Sequence, residues 1–197
     1  MGSLLLLSNG HGEDVSGALI GKSLVKAGHR VSALPLVGIG NAYLNSGIKI
    51  IKKGKDFKTG GIGYTSIWGR LTEIFEGQIF YLISRIITFL KVANRYDLII
   101  IVGDIIPILA TWLSQQKSVV YLVAYSSHYE GKLKLPWPCK QCLESRNSLE
   151  VYTRDKLTAE DLTKQLNKVA KFLGNPFMDP LFETKKNPST KIQRLGL

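Results

Sequence analysis

The chain has 197 residues, 45% of them hydrophobic and 21% charged, with a net charge of +11. That composition excludes a disordered or collagen-like chain and fits one globular domain with a real core, or one domain and a short tail. The excess of positive charge favours polyanions: nucleic acid, anionic lipid headgroups or phosphorylated substrates.

In chain order, residues 3–8 form an apolar run suited to a strand buried on both faces. The stretch "SNGHGED" follows, and from Asp14 to Ala27 the positions Val15, Ala18, Leu19 and Val25 fall on a helical stripe. Gly28 closes that helix as a C′ residue. "RVSALPLV" is a second strand, "AYLNSG" a short helical turn and "IKIIK" a third strand. A glycine-rich loop, "TGGIGYTS", precedes a long helical pattern from Ile67 to Asn94.

"DLIIIVG" is a strand, "IIPILATWLSQQ" a helix and "SVVYLVAY" a strand. "CKQCLES" reads as a helix, "LEVYTR" as a strand and "VAKFLG" as the last strand. In "TAEDLTKQL", Thr158 and Asp161 suit a helix capping box. Continuous apolar strands alternating with helices predict a parallel sheet covered on both faces, a Rossmann-like, doubly wound α/β domain over residues 1–176. Residues 177–197, rich in lysine and proline, read as a linker out of that domain.

Four leucines before a polar loop are too short for a secretory signal. In "IFEGQIFYLISRIITFLKV" the charges Glu76, Arg85 and Lys91 argue against a membrane span. Trp68, Phe75, Phe80, Tyr81 and Phe89 in the same segment suit either an ordinary packed helix or a lipid-facing element. Cys139 and Cys142 have metal or redox spacing. A second ligand pair is missing and the position is late for a redox motif, so they read as two core residues of one helix face in a reducing compartment.

Ligands of open α/β sheets bind beyond the carboxyl ends of the strands. Asn9-Gly10-His11-Gly12-Glu13, Gly103-Asp104 and Gly174-Asn175-Pro176 all follow predicted strands, so they should meet on one edge. The first loop is not a dinucleotide fingerprint, because Val15 stands where the third glycine belongs, and no Lys-Ser or Lys-Thr follows as in a P-loop. Asp14 reads as a residue that caps the helix and favours its dipole. Glu13 suits that role or a substrate contact equally. Asp104, directly after five apolar residues, suits a helix N-cap and a functional carboxylate at once. His11 is a base or a loop donor, and His128 a surface loop residue.

Taken together, "SNGHGED", "ALPLVGIGNAYLNSGIKII", "VGDIIPILATWL", "VYTRDKLTAEDL" and "FLGNPFMDPL" resemble the N-terminal half of lipid-A-disaccharide synthase-related glycosyltransferases, from Leu4 to Leu181. The "GNP" also resembles the hand-over to the second domain in the related transferase of peptidoglycan synthesis.

The resemblance implies a two-domain GT-B architecture, with an acceptor-binding first half and a donor-binding second half. It implies transfer of a sugar such as N-acetylglucosamine from a UDP-sugar to a lipid-linked acceptor, as in lipid A synthesis. It further implies Asp104 as general base, Glu13 as a substrate-positioning acid, and Asn9, Gly10, His11 and Gly12 as the cleft floor. Asn175 lies in the matched "GNP" as a further substrate-binding position. No metal and no cofactor are expected. The expected location is cytoplasmic, peripheral on the inner face of the membrane, docked on an anionic surface and free of nucleic acid. The donor half lies outside these residues, as the rest of a longer protein, the lost part of a truncated frame or a separate chain.

Two rivals stand beside this reading. A nucleotide-binding module needs an acid about 20 residues after the glycines, and "ALPLVG" supplies none. A membrane-surface or nucleic-acid binding module without catalysis rests on charge alone.

Overall fold

A computed structural model describes residues 1–55, 77–131 and 134–178. Among these residues seven strands form one sheet: β1 (Ser3–Ser8), β2 (Arg30–Pro35), β3 (Lys49–Ile50), β4 (Leu98–Val102), β5 (Ser118–Leu122), β6 (Ser148–Thr153) and β7 (Ala170–Phe172). Their order is β3-β2-β1-β4-β5-β6-β7 and every pairing is parallel. The chain therefore winds outward from β1 to β3, returns to β4 beside β1, and winds outward the other way. The switch lies between β1 and β4, where Ser8 pairs with Val102.

The helices are α1 (His11–Lys26), α2 (Asn41–Asn45), α3 (Gln78–Val92), α4 (Ile105–Ser114), α5 (Ser127–Glu130), α6 (Cys139–Glu144) and α7 (Lys156–Gln165). Because side chains alternate along a strand, Leu4 and Leu6 of β1 face α1 and α2. Leu5 and Leu7 join the opposite core with Phe89 of α3, Ile108 of α4 and Leu162 of α7. Leu5, Leu6 and Leu7 are fully buried, and each such side chain contributes about 1.5–3 kcal/mol. This double burial is why the run is continuously apolar.

Several local expectations need correction. Asp155, not Thr158, caps α7: its carboxylate accepts the Thr158 N–H at 2.8 Å, while Thr158 sits buried inside the helix. Of the segment's aromatics, Phe89 is a core residue, as a packed helix requires, and Tyr81 is half-buried, while Phe80 is exposed. Gly28 has φ +88 and follows the last residues of α1, as a C′ glycine does. Cys139 and Cys142 pack in the core on α6. Burial and then the neighbouring Cys142 push the Cys139 thiol up to about 12, so it is not a reactive thiolate. The glycine-rich loop 59–66, the first part of the predicted long helix at 67–76, and residues 179–197 lie outside the described residues.

The charge inside α3 has a structural use. Arg85 is 1% exposed and donates to the carbonyls of Pro35 at 2.5 Å, Lys52 at 2.8 Å and Lys53 at 3.2 Å. Those carbonyls lie at the end of β2 and just past β3, where the sheet no longer pairs them. On the outer side, Ile79, Phe80, Ile83, Ile87 and Leu90 are exposed, with Phe80 at 75%. The spacing 79, 83, 87 and 90 places them on one helix face. Trp112 and Leu113 of the neighbouring α4 are exposed as well. Among the described residues no helix is long and apolar enough to cross a membrane.

Candidate active site

The switch between β1 and β4 opens into a cleft of about 470 Å³ at the carboxyl edge of the sheet. Its lining comes from four strand ends: Asn9 to Glu13 after β1, Asp104 after β4, Val123 and Ala124 after β5, and Arg154 after β6. Phe177 adds an aromatic wall.

β1 and β4 end in register, so the residues just beyond them meet. The Asn9 side-chain amide donates to Asp104 Oδ2 at 3.1 Å, and the Asn9 backbone N–H donates to Glu13 Oε2 at 2.7 Å. Asp104 also caps α4, its Oδ1 accepting the Ile106 N–H at 3.0 Å. One short loop thus holds two carboxylates on the cleft floor.

Gly103 makes room for this. It has φ +147, and a side-chain carbon there would stand 2.6 Å from Glu13 Oε2. Gly10 and Gly12 serve differently. Neither has a left-handed φ, and an added side-chain carbon would meet none of the described residues within 4 Å. They leave open floor rather than relieve strain.

Burial, and after it the nearby Asp104 carboxylate, hold the Glu13 carboxyl well above its ordinary value of 4.5, against the opposing pull of the Asn9 N–H. Burial also raises Asp104 above its ordinary 3.8, with the donors from Ile106 and Asn9 countering it. Such opposed neighbours are the usual setting of functional acids.

Glu13 binds its proton more tightly folded than unfolded, so above about pH 4.5 the unfolded chain gives up that proton first and the native state loses ground. Glu13→Gln keeps the Asn9 contact and removes this penalty. Its Tm should exceed that of the native protein at pH 7 and match it near pH 4. An equal or lower Tm at pH 7 would show that the carboxylate is not strained.

Asp14 is corrected by the structure. It does not cap α1; Gly10 holds the N-cap position, without a side-chain bond. Asp14 points inward, is 2% exposed, and accepts from Ser8 Oγ at 2.5 Å, while Ser8 Oγ accepts from the buried Tyr43 hydroxyl at 2.9 Å. Gly17 makes way for that hydroxyl, which a side-chain carbon would meet at 2.2 Å.

His11 and Gly12 begin α1 and line the cleft with Asn9 and Gly10. Asn175 is exposed and outside the lining. Its Oδ1 accepts the Phe177 N–H at 3.2 Å, which steadies the 3-10 turn Pro176–Met178 that brings Phe177 to the cleft. His128 lies exposed on α5, away from the lining. Arg154 is the residue that sequence reading passes over. It sits inside a quoted motif and after a predicted strand, which was the available signal.

The fold is the Rossmann-like, doubly wound α/β fold of a GT-B domain. Solved neighbours include HepE of Anabaena in complex with UDP-glucose (14% identity, TM-score 0.53, covering 89% of this chain and 44% of that one). UDP-GlcNAc 2-epimerase from Neisseria meningitidis, bound to UDP-GlcNAc, shares 15% identity (TM-score 0.55, 98% and 52%). CalG4, the calicheamicin glycosyltransferase, shares 14% (TM-score 0.53, 89% and 53%). The chain thus spans about half the length of each. No family model matches it, and no curated protein matches it by sequence.

Proposed function

We propose that this chain is the acceptor-binding half of a glycosyltransferase that moves a hexose, such as N-acetylglucosamine, from a UDP-sugar to a lipid-linked acceptor, as in lipid A disaccharide synthesis. The observation that carries the proposal is the Asn9–Asp104–Glu13 cluster, two hydrogen-bonded carboxylates at the topological switch point. Carboxylates suit the hydroxyls of a sugar, whereas a diphosphate would be repelled.

In this reading Asp104 accepts the proton of the acceptor hydroxyl as its oxygen attacks the anomeric carbon. The bond from that carbon to the diphosphate breaks, and UDP leaves with the electron pair. Glu13 orients the acceptor, and Gly10, His11 and Gly12 form its floor. The donor binds in a second half, which the length of the solved neighbours supports. Residues 1–176 are then the acceptor domain and 177–197 the passage toward that half.

The test is transfer of labelled sugar from UDP-N-acetylglucosamine to a lipid-linked acceptor, with and without the donor half present. The 197 residues alone should give no product, and product from them alone would overturn the division of labour.

A lipid-linked acceptor places the enzyme at an anionic membrane surface. Supporting this are the exposed apolar face of α3 and the absence of any carboxylate within α3 or α4. Lys52, Lys53 and Lys55 are exposed beside α3, the Lys52 ammonium donating to Thr88 Oγ1 at 3.3 Å and the Lys55 backbone N–H donating to the Tyr81 hydroxyl at 2.8 Å. Apolar insertion flanked by lysines is how helices lie on anionic lipid. Phe80→Ser with Ile83→Ser should lower the partition constant onto phosphatidylglycerol vesicles, read by cosedimentation, by roughly a hundredfold or more, each lost apolar side chain forfeiting about 1.5–3 kcal/mol of burial. Unchanged partitioning would remove α3 from membrane docking.

A further inference from the structure

Among the described residues that line the cleft Arg154 is the one cationic group, and proton transfer to Asp104 gives it no work. Arg154 follows β6 and precedes the cap of α7, so its backbone is held on both sides. Thr153 Oγ1 donates to the Asp155 carbonyl at 2.7 Å. The Asp155 carboxylate accepts from Ser126 Oγ at 2.9 Å and from the Thr158 N–H at 2.8 Å. The guanidinium lies over the Tyr129 ring, 5.4 Å from its centroid, a contact that steers a cation without neutralising it. Strands lie about 4.8 Å apart, so β6 is roughly 10 Å from the strand that presents Asp104. A ligand seated against the carboxylates spans that distance with a sugar ring and its substituent. Asn9 adds a second sign of a ligand: its buried Oδ1 has no partner among the described residues, although Asn9 lines the cleft.

We propose that Arg154 forms an oxyanion subsite on the β6 side of the cleft, taking a phosphate or carboxylate group of the molecule bound against Glu13 and Asp104. The proposal rests on the acceptor reading and adds its charge. The acidic wall reads hydroxyls, the basic wall reads the anion, and together they fix the sugar's direction in the cleft. A planar guanidinium offers paired donors to such a group.

The test titrates the 197-residue chain with glucose, glucose 6-phosphate and UDP-glucose, following the backbone amides of Asn9 to Glu13 by NMR. The native chain should bind glucose 6-phosphate at least roughly tenfold more tightly than glucose, the range of one charge-assisted contact. Arg154→Gln should erase that advantage while leaving glucose binding, and Arg154→Lys should keep part of it. If only UDP-glucose gains through Arg154, the oxyanion is the donor's diphosphate, and the subsite for the molecule held by Glu13 and Asp104 is overturned. An advantage that survives in Arg154→Gln, or that is absent from the native chain, overturns the subsite and leaves the acceptor reading untouched. If no sugar moves these amides, the acceptor reading itself falls, and the subsite with it.

Discussion

Replacing Asp104 by asparagine is expected to reduce sugar transfer by roughly 10²–10⁴-fold, the range for a lost general base, while the fold stands. Asparagine caps helices as well as aspartate does, so the bond to the Ile106 N–H, now 3.0 Å, survives the change. The contact with the Asn9 amide becomes amide to amide and remains possible after a side-chain flip. What disappears is the basicity. The same carboxylate sets the acid limb of the pH profile. Burial raises its pKa above 3.8, so kcat/KM should rise with pH through that elevated value and level off once the group is ionised. The assay needs a preparation that includes the donor half, with folding checked by an unchanged Tm. Native rates in the Asp104→Asn protein would remove Asp104 from the mechanism and leave it a helix cap.

The largest expected effect on stability is at Arg85. Arg85→Met preserves an unbranched, apolar stem but abandons the carbonyls of Pro35, Lys52 and Lys53. Buried polar groups left without partners cost about 1–3 kcal/mol each, and the loss here should be about 3 kcal/mol. At ordinary urea dependence that lowers the midpoint by roughly 1–2 M. The consequence reaches beyond stability, because these bonds tie α3 to the strand ends and so fix the orientation of its outer apolar face. A midpoint equal to the native one would mean that the carbonyls find water or other donors at no cost.

How far the sequence could be read depended on what each signal encodes. Runs such as "LIIIV" betray a strand buried on both faces, because only that environment demands unbroken apolarity. Glycine and aspartate after such a run mark a strand end. From these alone the parallel sheet and the meeting of Asn9, Glu13 and Asp104 at one edge were legible. The direction of adjacent helical side chains was not. Glu13 and Asp14 are neighbours of equal charge, yet successive residues turn by about 100° around a helix. One reaches the cleft and the other the core, where Ser8 and Tyr43 receive it. The start of α7 misled for a related reason: Asp155 and Thr158 present the same capping pattern as Thr158 and Asp161, displaced by three residues. Arg154 carried no local signal beyond its place after a strand. Its approach to the cleft depends on β6 lying two strands from β4, and strand order is written in the crossovers rather than in any one segment.

Gly10 and Gly12 separate two demands that most positions combine. Their backbones are ones that alanine adopts, and among the described residues nothing lies within 4 Å of an added side-chain carbon. A library selected only for stable folding should therefore accept small side chains at both positions, while Gly17 and Gly103 stay closed to them. The same library selected for turnover, with the donor half supplied, should lose those variants, and the residues that differ between the two selections would trace the outline of the acceptor.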